Sequence, residues 1–293
     1  PSSTSDRSAV TLDASTVLLQ WATCGLLFLW VTGRRREVGL GYGWLLRGTY
    51  GLMAALAAWL GWRYGEGVPV RELASVGVVV ATAAALAVSV QRRRAGVAGQ
   101  RDLAEQRSAR VAAMTGIDRA AAAKDATGPE FPPDLDLVAP LIGVVGLVAA
   151  GIEAGDPAGL SVARVLVGAL FLGSVSDAML LGHWYLVQPG LARGPLLELV
   201  RWTAIIWPFE LVVMLWPTGM VSVLTGDIDD GYNGLLGWFW VACAATTIVL
   251  VGVTRAALRE RQYSAVMAAT GLLYLAILTA FGMDLVARAT LAT

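Results

Sequence analysis

The stretch "LSVARVLVGALFLGSVSDAMLLGHWYLV", Leu160–Val187, decides the fold of this chain. Nearly all of its residues are apolar or small, and Arg164, Asp177 and His183 are its only ionisable side chains apart from the Tyr185 phenol. A helix of about 20 predominantly apolar residues is long enough to cross the hydrocarbon core of a bilayer. The stretch therefore predicts a membrane-spanning helix that is longer than the bilayer requires, so it is tilted or continues beyond the lipid.

The remainder of the chain has the same character. Hydrophobic residues make up 56% of the 293 residues and charged residues only 15%, whereas about 25% are charged in a soluble domain. We predict an all-α polytopic membrane protein in which eight transmembrane helices form one bundle within the lipid bilayer. Besides Leu160–Val187, the predicted spans are Thr16–Gly33, Trp44–Trp62, Leu73–Gln91, Leu137–Ile152, Leu197–Trp216, Leu235–Thr254 and Tyr263–Leu285.

Arginine is concentrated in every second connection between these spans. The four connections contain "GRRRE", "QRRRAG", "QPGLARG" and "TRAALRERQ", while the others are neutral or acidic. The positive-inside rule places such connections in the cytoplasm, and the membrane is then the bacterial cytoplasmic membrane. Residues 16–91 hold spans one to three and residues 137–285 hold spans four to eight. Residues 1–15 and 286–293 are then short extracytoplasmic tails.

The long connection at residues 92–136 is the predicted cytoplasmic linker. Its middle, "QRDLAEQRSARVAAMTGIDRAAAAK", is rich in helix-forming residues, and Leu103, Val111 and Met114 fall roughly on one face. This pattern predicts an interfacial helix on the inner leaflet or against a partner protein. A solvated helical linker is the alternative.

Two acidic residues lie deep inside predicted spans. Asp177 is near the middle of the fifth span, and Glu210 is about two-thirds along the sixth. A carboxyl group surrounded by lipid or apolar side chains must be neutral, paired or beside water. The two residues are therefore candidates for a proton relay or for structural hydrogen bonds between helices. Other ionisable residues lie nearer span ends, where anchoring or ion pairing is expected; they are Arg47, Arg164, Arg201 and Asp284.

His183 is the only histidine in the chain, and Trp184 and Tyr185 follow it directly. An imidazole, flat aromatic rings and hydrogen-bonding groups near the inner interface are what a quinone or haem b site requires. An aromatic belt at the membrane interface is the alternative. The predicted cofactor-binding residues are Met179, His183, Trp184, Tyr185, Arg193 and Arg201.

Several kinds of chemistry find no support in the sequence. Cys24 and Cys243 each lie alone in an apolar run, so neither a zinc site nor an iron–sulfur cluster is expected. No phosphate-binding glycine-rich loop occurs, no set of catalytic residues stands out, and no nucleic-acid partner is expected.

Three functions remain open. The first is a membrane subunit of a multi-subunit respiratory or electron-transfer complex, in contact with quinone or with a haem shared with partner subunits near His183. In an oxidoreductase complex it would be a quinone-site or non-catalytic subunit. The second is a proton- or ion-coupled secondary transporter that uses Asp177 and Glu210. The third is a structural membrane subunit without a cofactor.

The arginine pattern gives a testable topology. We expect a reporter that works only in the cytoplasm to be inactive when fused after Thr293, and one that works only after export to be active, because both tails are predicted outside. The measurement is reporter activity in whole cells, with fusions after Arg193 as the cytoplasmic control. Opposite activities would reverse the orientation of every span.

Overall fold

The computed structural model describes residues 13–64, 68–115, 128–155, 157–188, 191–260 and 262–291. These residues form ten α-helices and two short 3-10 turns, with no strand among them. The helices are α1 (Ala14–Gly33), α2 (Leu40–Tyr64), α3 (Pro69–Gln91), α4 (Ala98–Thr115), α5 (Val138–Glu153), α6 (Ala158–Val187), α7 (Gly194–Leu215), α8 (Gly219–Thr225), α9 (Leu235–Arg259) and α10 (Tyr263–Leu291).

A helix forms at each of the eight predicted spans, which confirms an all-α multi-pass membrane architecture. Within the described residues, six helices are long and apolar enough to cross a membrane: α1, α3, α5 with its preceding 3-10 turn, α6, α9 and α10. A seventh span results if α7 and α8, which are bent by 63° relative to each other, count as one.

The second predicted span, α2, is long but falls short in apolar composition, because it contains Arg47 and Arg63 among its 25 residues. Its outer face is nonetheless apolar: Leu45, Leu52 and Leu56 are 46%, 62% and 41% exposed. Arg47 is turned inward and is only 4% exposed. A polar interior with an apolar exterior is the arrangement of a helix that faces lipid.

Helix α6 lies at the centre of the bundle. It packs against α1, α5, α7 and α10, while the antiparallel pairs α2–α3 and α9–α10 lie on either side. Close packing with α1 depends on Gly173, because a Cβ at this position would lie 2.6 Å from the backbone carbon of Cys24. Small residues at helix contacts are the usual means of close approach in membrane proteins. The central position of α6 makes Asp177 a fully buried residue.

The arginine-rich connections meet at one end of the bundle. Arg34 and Arg35 both form ion pairs with Glu198 at the start of α7, at 2.5 Å. The Arg193 guanidinium donates to the carbonyl oxygens of Leu258 and Gln262 between α9 and α10. The linker joins the same end through Glu130, which pairs with Arg36.

The linker and the N-terminal tail are only partly described by the structure, whereas the C-terminal tail is described to Leu291. The linker contains the expected helix, α4, but residues 116–127 and the side chains of Leu103, Val111 and Met114 lie outside the described residues. The predicted N-terminal tail is likewise undescribed up to residue 12, and Asp13 caps α1 through the Ser15 N–H. The predicted C-terminal tail instead continues α10 to Leu291, because Arg288 binds Asp284 one turn earlier.

A buried ion pair fixes the linker to the bundle. Arg47 donates from Nε and Nη2 to the two carboxylate oxygens of Asp136, both at 2.7 Å, and its guanidinium lies 4.4 Å from the Phe131 ring centroid. Both side chains are almost completely buried. The prediction that Arg47 is an anchor or an ion-pair partner is thus resolved in favour of an ion pair with Asp136.

Removing one partner of this pair is expected to destabilise the fold strongly. Arg47→Gln leaves the Asp136 carboxylate buried without its cation, a change that typically costs roughly 3–5 kcal/mol. Replacing both partners, as in Arg47→Met with Asp136→Leu, is expected to cost less, because no uncompensated charge remains. Thermal unfolding in detergent measures both effects, with Arg63→Gln at the exposed end of α2 as the control. Equal melting temperatures for Arg47→Gln and Arg63→Gln would contradict the role of the pair.

Candidate functional site: two buried acidic sites around the central helix

The first buried acidic site surrounds Asp177 on α6. The Tyr50 hydroxyl donates a short hydrogen bond to Oδ1 of Asp177, and the Tyr42 hydroxyl lies 3.4 Å from the Asp177 backbone carbonyl oxygen. The two tyrosines are eight residues apart on α2, so they share one face of that helix. Oδ2 of Asp177 has no hydrogen-bond partner among the described residues. The site therefore offers one carboxyl oxygen that can bind a proton, a water molecule or a cation.

Tyr42 also connects this site to the arginine-rich end. A small cavity of about 50 Å³ lies there, and Tyr42, Arg47 and Asp136 are among its lining residues. A cavity of this size has room for a few water molecules. Tyr42 consequently has the cavity on one side and the backbone of Asp177 on the other.

The second acidic site surrounds Glu210 on α7. Its carboxyl group lies beside that of Asp284 on α10 and near the guanidinium of Arg288. Nε of Arg288 donates to both carboxylate oxygens of Asp284 at 2.9 Å, and its Nη2 donates to the backbone oxygen of Arg164. Glu210 is fully buried, and the Asp284 carboxyl group is within hydrogen-bonding reach of it, so the two acids can share a proton. No N–H donor of another described residue bonds either carboxyl oxygen of Glu210. Arg288 is thus committed to Asp284, and Glu210 is left without a bonded cation.

The chain is interrupted next to this second site. Helix α7 ends at Leu215, and α8 begins at Gly219 after a sharp bend. The Arg164 guanidinium donates to the carbonyl oxygens of Val213 and Trp216, both at 2.9 Å, and so satisfies backbone groups that the bend leaves free. Broken helices at membrane depth occur where protein or a water-filled cavity covers them.

The two acidic sites are separate along the central helix. Asp284 and Arg288 approach α6 at Gly168, where an added Cβ would overlap their side chains. Asp177 is nine residues further along α6, or about 13 Å at 1.5 Å per residue. The intervening Phe171 and Leu172 are fully buried. Asp177 faces α2 and Glu210 faces α10, so the structure does not bring the two predicted relay residues into direct contact.

His183 lies elsewhere, on the exposed surface of α6. Its Nδ1 is 3.0 Å from the Tyr274 hydroxyl oxygen of α10, and the two rings meet edge to face. Met179, one turn earlier on α6, is partly buried against the core.

The other predicted cofactor-binding residues face different neighbours. Trp184 packs against Tyr42 with ring centroids 6.0 Å apart, while Tyr185 is buried and its hydroxyl donates to the carbonyl oxygen of Ala192. Arg193 is occupied by the α9–α10 connection. Arg201 is exposed and lines a different cavity. The structure does not bring these residues together around His183.

Helix geometry explains this dispersion. Successive residues of an α-helix point roughly 100° apart, so the side chains at positions 183, 184 and 185 face three different directions. These residues are neighbours in the sequence, but on a helix their side chains point away from one another. The sequence motif therefore does not form a single binding site.

The sequence prediction missed several residues that form the buried polar network. Tyr42, Tyr50 and Asp136 were not singled out, nor was Arg288, although Asp284–Arg288 has the spacing of a helical ion pair. A further polar group joins the buried Arg71 and Glu72 to the partly exposed Asp13 at the opposite end of the bundle from the arginine-rich connections. Arg71 and Glu72 were missed because the predicted third span begins at Leu73, whereas α3 begins at Pro69.

Comparisons with known proteins add no further assignment. No family model, curated protein or solved structure matches this chain. In the described residues, no group of three or more His, Cys, Asp or Glu side chains is arranged to hold a metal ion. The fold therefore defines an all-helical, multi-pass membrane protein with two buried acidic sites.

Proposed function

We propose that this protein is a proton-coupled secondary transporter in which Glu210 binds and releases the coupling proton. The observation that carries the proposal is the Glu210 carboxyl group, which is fully buried, lies within hydrogen-bonding reach of the Asp284 carboxyl group and has no N–H donor from another described residue on its oxygens. An ionised carboxylate in such a place is costly, and a buried acid in a membrane helix is by default a functional group.

The surroundings of Glu210 support this role. Asp284 holds the Arg288 guanidinium, so a proton is the simplest partner for Glu210, and protonation removes a negative charge beside the Asp284 carboxylate. The broken α7–α8 segment next to it is the kind of discontinuous helix that forms binding sites in secondary transporters. Glu210 is on α7 itself, one to two turns before this break.

Asp177 supplies a second station for the proton. Its unpartnered Oδ2 and its hydrogen bond from Tyr50 suit a group that exchanges a proton with water. Tyr42, whose hydroxyl lies 3.4 Å from the Asp177 backbone oxygen, lines a cavity at the arginine-rich end, which on the positive-inside rule is cytoplasmic in a bacterial inner membrane. Proton transfer between Glu210 and Asp177 requires a rearrangement at the buried Phe171 and Leu172, of the kind that alternating access involves.

The transport proposal is tested by proton uptake into vesicles. In proteoliposomes that contain a pH-sensitive dye, a negative-inside potential should drive proton uptake by the wild-type protein when a panel of candidate substrates is supplied on either side of the membrane, and not in their absence. Glu210→Gln and Asp177→Asn should each slow this uptake by roughly a hundredfold, the usual contribution of a positioned proton-transfer group. Glu210→Asp, which retains a carboxyl group, should recover part of the rate.

Glu153→Gln is the matched control, because Glu153 is an exposed carboxyl group at the end of α5. Infrared spectra at varied pH give a second readout: a carboxyl band that titrates in the wild type should be absent in Glu210→Gln and present in the control. Unchanged uptake and unchanged spectra in Glu210→Gln would end the proposal. That result would favour structural hydrogen bonds and a purely structural subunit.

The second candidate function is a subunit of an electron-transfer complex that holds quinone or haem b at His183. One observation favours it. The Tyr274 hydroxyl oxygen lies 3.0 Å from Nδ1 of an imidazole on the outer surface of the bundle. A hydrogen bond at one ring nitrogen orients the other nitrogen for a ligand. A cofactor shared with a partner subunit needs such an outward-facing histidine.

Spectra of the native assembly test this second function. If His183 holds the cofactor, His183→Phe should remove a haem band or weaken quinone binding by about ten- to a hundredfold, the effect of losing one buried hydrogen bond. Tyr274→Phe should have a smaller effect in the same direction, because the imidazole loses only its orienting partner. Tyr263→Phe, another exposed tyrosine of α10, is the control. Identical spectra and binding in His183→Phe and the control would leave His183 as an interfacial residue.

A further inference from the structure

A cavity of about 470 Å³ lies at the arginine-rich end between the end of α1, the start of α7 and the end of α9. Four arginines line it, one from α1's end, one from α7 and two from α9; they are Arg35, Arg201, Arg255 and Arg259. None of the proton-transfer groups lines this cavity.

The charges around the cavity are strongly unbalanced. The Glu198 carboxylate is the one acidic side chain among its lining residues, and it already forms ion pairs with Arg34 and Arg35. Glu37 lies at the rim, near Gly194 and Arg35. Within the described residues, Arg201, Arg255 and Arg259 have no ion pair. Elsewhere at this end, by contrast, Arg36 and Arg101 share Glu130. The cavity is therefore a concentrated positive site in which four arginines face a single acidic side chain.

An apolar surface extends from the cavity along α7. Trp202 and Ile205 are lining residues and are 39% and 42% exposed, and Phe209 and Val212 continue the row with 58% exposure each. The spacings of three and four residues place these side chains on one face of α7. An exposed apolar row in a membrane-spanning helix faces the acyl chains of lipids. The row leads directly from the bilayer to the guanidinium groups.

We propose that this cavity binds the headgroup of an anionic phospholipid, with its phosphate between Arg201, Arg255 and Arg259 and an acyl chain along the α7 row. Guanidinium groups pair with phosphate oxygens in bidentate geometry. Basic pockets between membrane helices are typical sites for anionic lipid headgroups. The apolar row distinguishes a lipid from a free phosphate, which would need only the arginines.

Native mass spectrometry of the detergent-purified protein tests the proposal. The probes are phosphatidylglycerol, phosphatidylcholine and the soluble headgroup glycerol phosphate, each added at equal concentration. The wild type should retain phosphatidylglycerol in preference to phosphatidylcholine. Arg255→Gln with Arg259→Gln should lower that retention about thirtyfold, as expected for the loss of two arginines near an anionic lipid. Arg201→Gln alone should lower it about fivefold.

Arg93→Gln with Arg94→Gln is the matched control, because these exposed arginines are at the same end and the change in net charge is the same. Retention close to that of the wild type in this control supports a defined site. An equal loss in both double variants would overturn the proposal, because net charge alone would then explain binding. Displacement of the lipid by glycerol phosphate at equal concentration would also overturn it in favour of a free phosphate site. Glu210→Gln should retain the lipid as the wild type does, which separates this proposal from that of proton coupling.

Discussion

The hydrogen bond from Tyr50 to the Asp177 carboxyl group meets the most severe constraint on this fold, which is the complete burial of an acidic side chain. Asp177 is on α6, which packs against four other helices, and its side chain is fully buried. A carboxyl group in such surroundings needs a proton, a cation or a hydroxyl donor. Helix α2 supplies the donor, and this requirement fixes which face of α2 is turned toward α6. The apolar residues on the other face of α2 are then left for the lipid.

The same requirement is met at three other buried acids in the described part of the chain. Asp136 is matched by Arg47, Asp284 by Arg288, and Glu72 by Arg71. The arginine of each pair also connects two elements: Arg47 joins α2 to the linker, Arg71 contacts Asp13 before α1, and Arg288 donates to the Arg164 backbone oxygen on α6. These polar contacts help to specify how apolar helices of similar surface are arranged. Lipid tails are as apolar as leucine side chains, and apolar contact alone therefore selects no unique neighbour. Glu210 is the exception, since it is equally buried and its oxygens have no cation or N–H donor among the described residues.

An unmatched acid next to a broken helix links the structure to the proposed function. A structural role would be served better by a bonded carboxyl group or by an apolar residue of similar volume. A group that must change its protonation state needs the opposite, which is surroundings that do not commit it to either form. The arginine cavity at the arginine-rich end of the bundle has a different explanation. Its positive charge is only partly compensated by Glu198, and the cavity lies at the end of the bundle, so the remaining charge can be neutralised by a lipid headgroup.

The sequence by itself determined the class of protein, the positions of the helices and the grouping of arginine-rich connections. These properties are local, because apolar length and flanking charge act on each segment separately. It also identified Asp177 and Glu210 as buried acids, since their depth follows from position within a span. The partners of these acids were decided only by the tertiary structure. Tyr50 is 127 residues from Asp177 in the chain, and the pairing depends on how each helix is rotated about its axis. Helix geometry likewise separates His183 from Tyr185 on α6, because neighbours in the sequence face different sides of a helix.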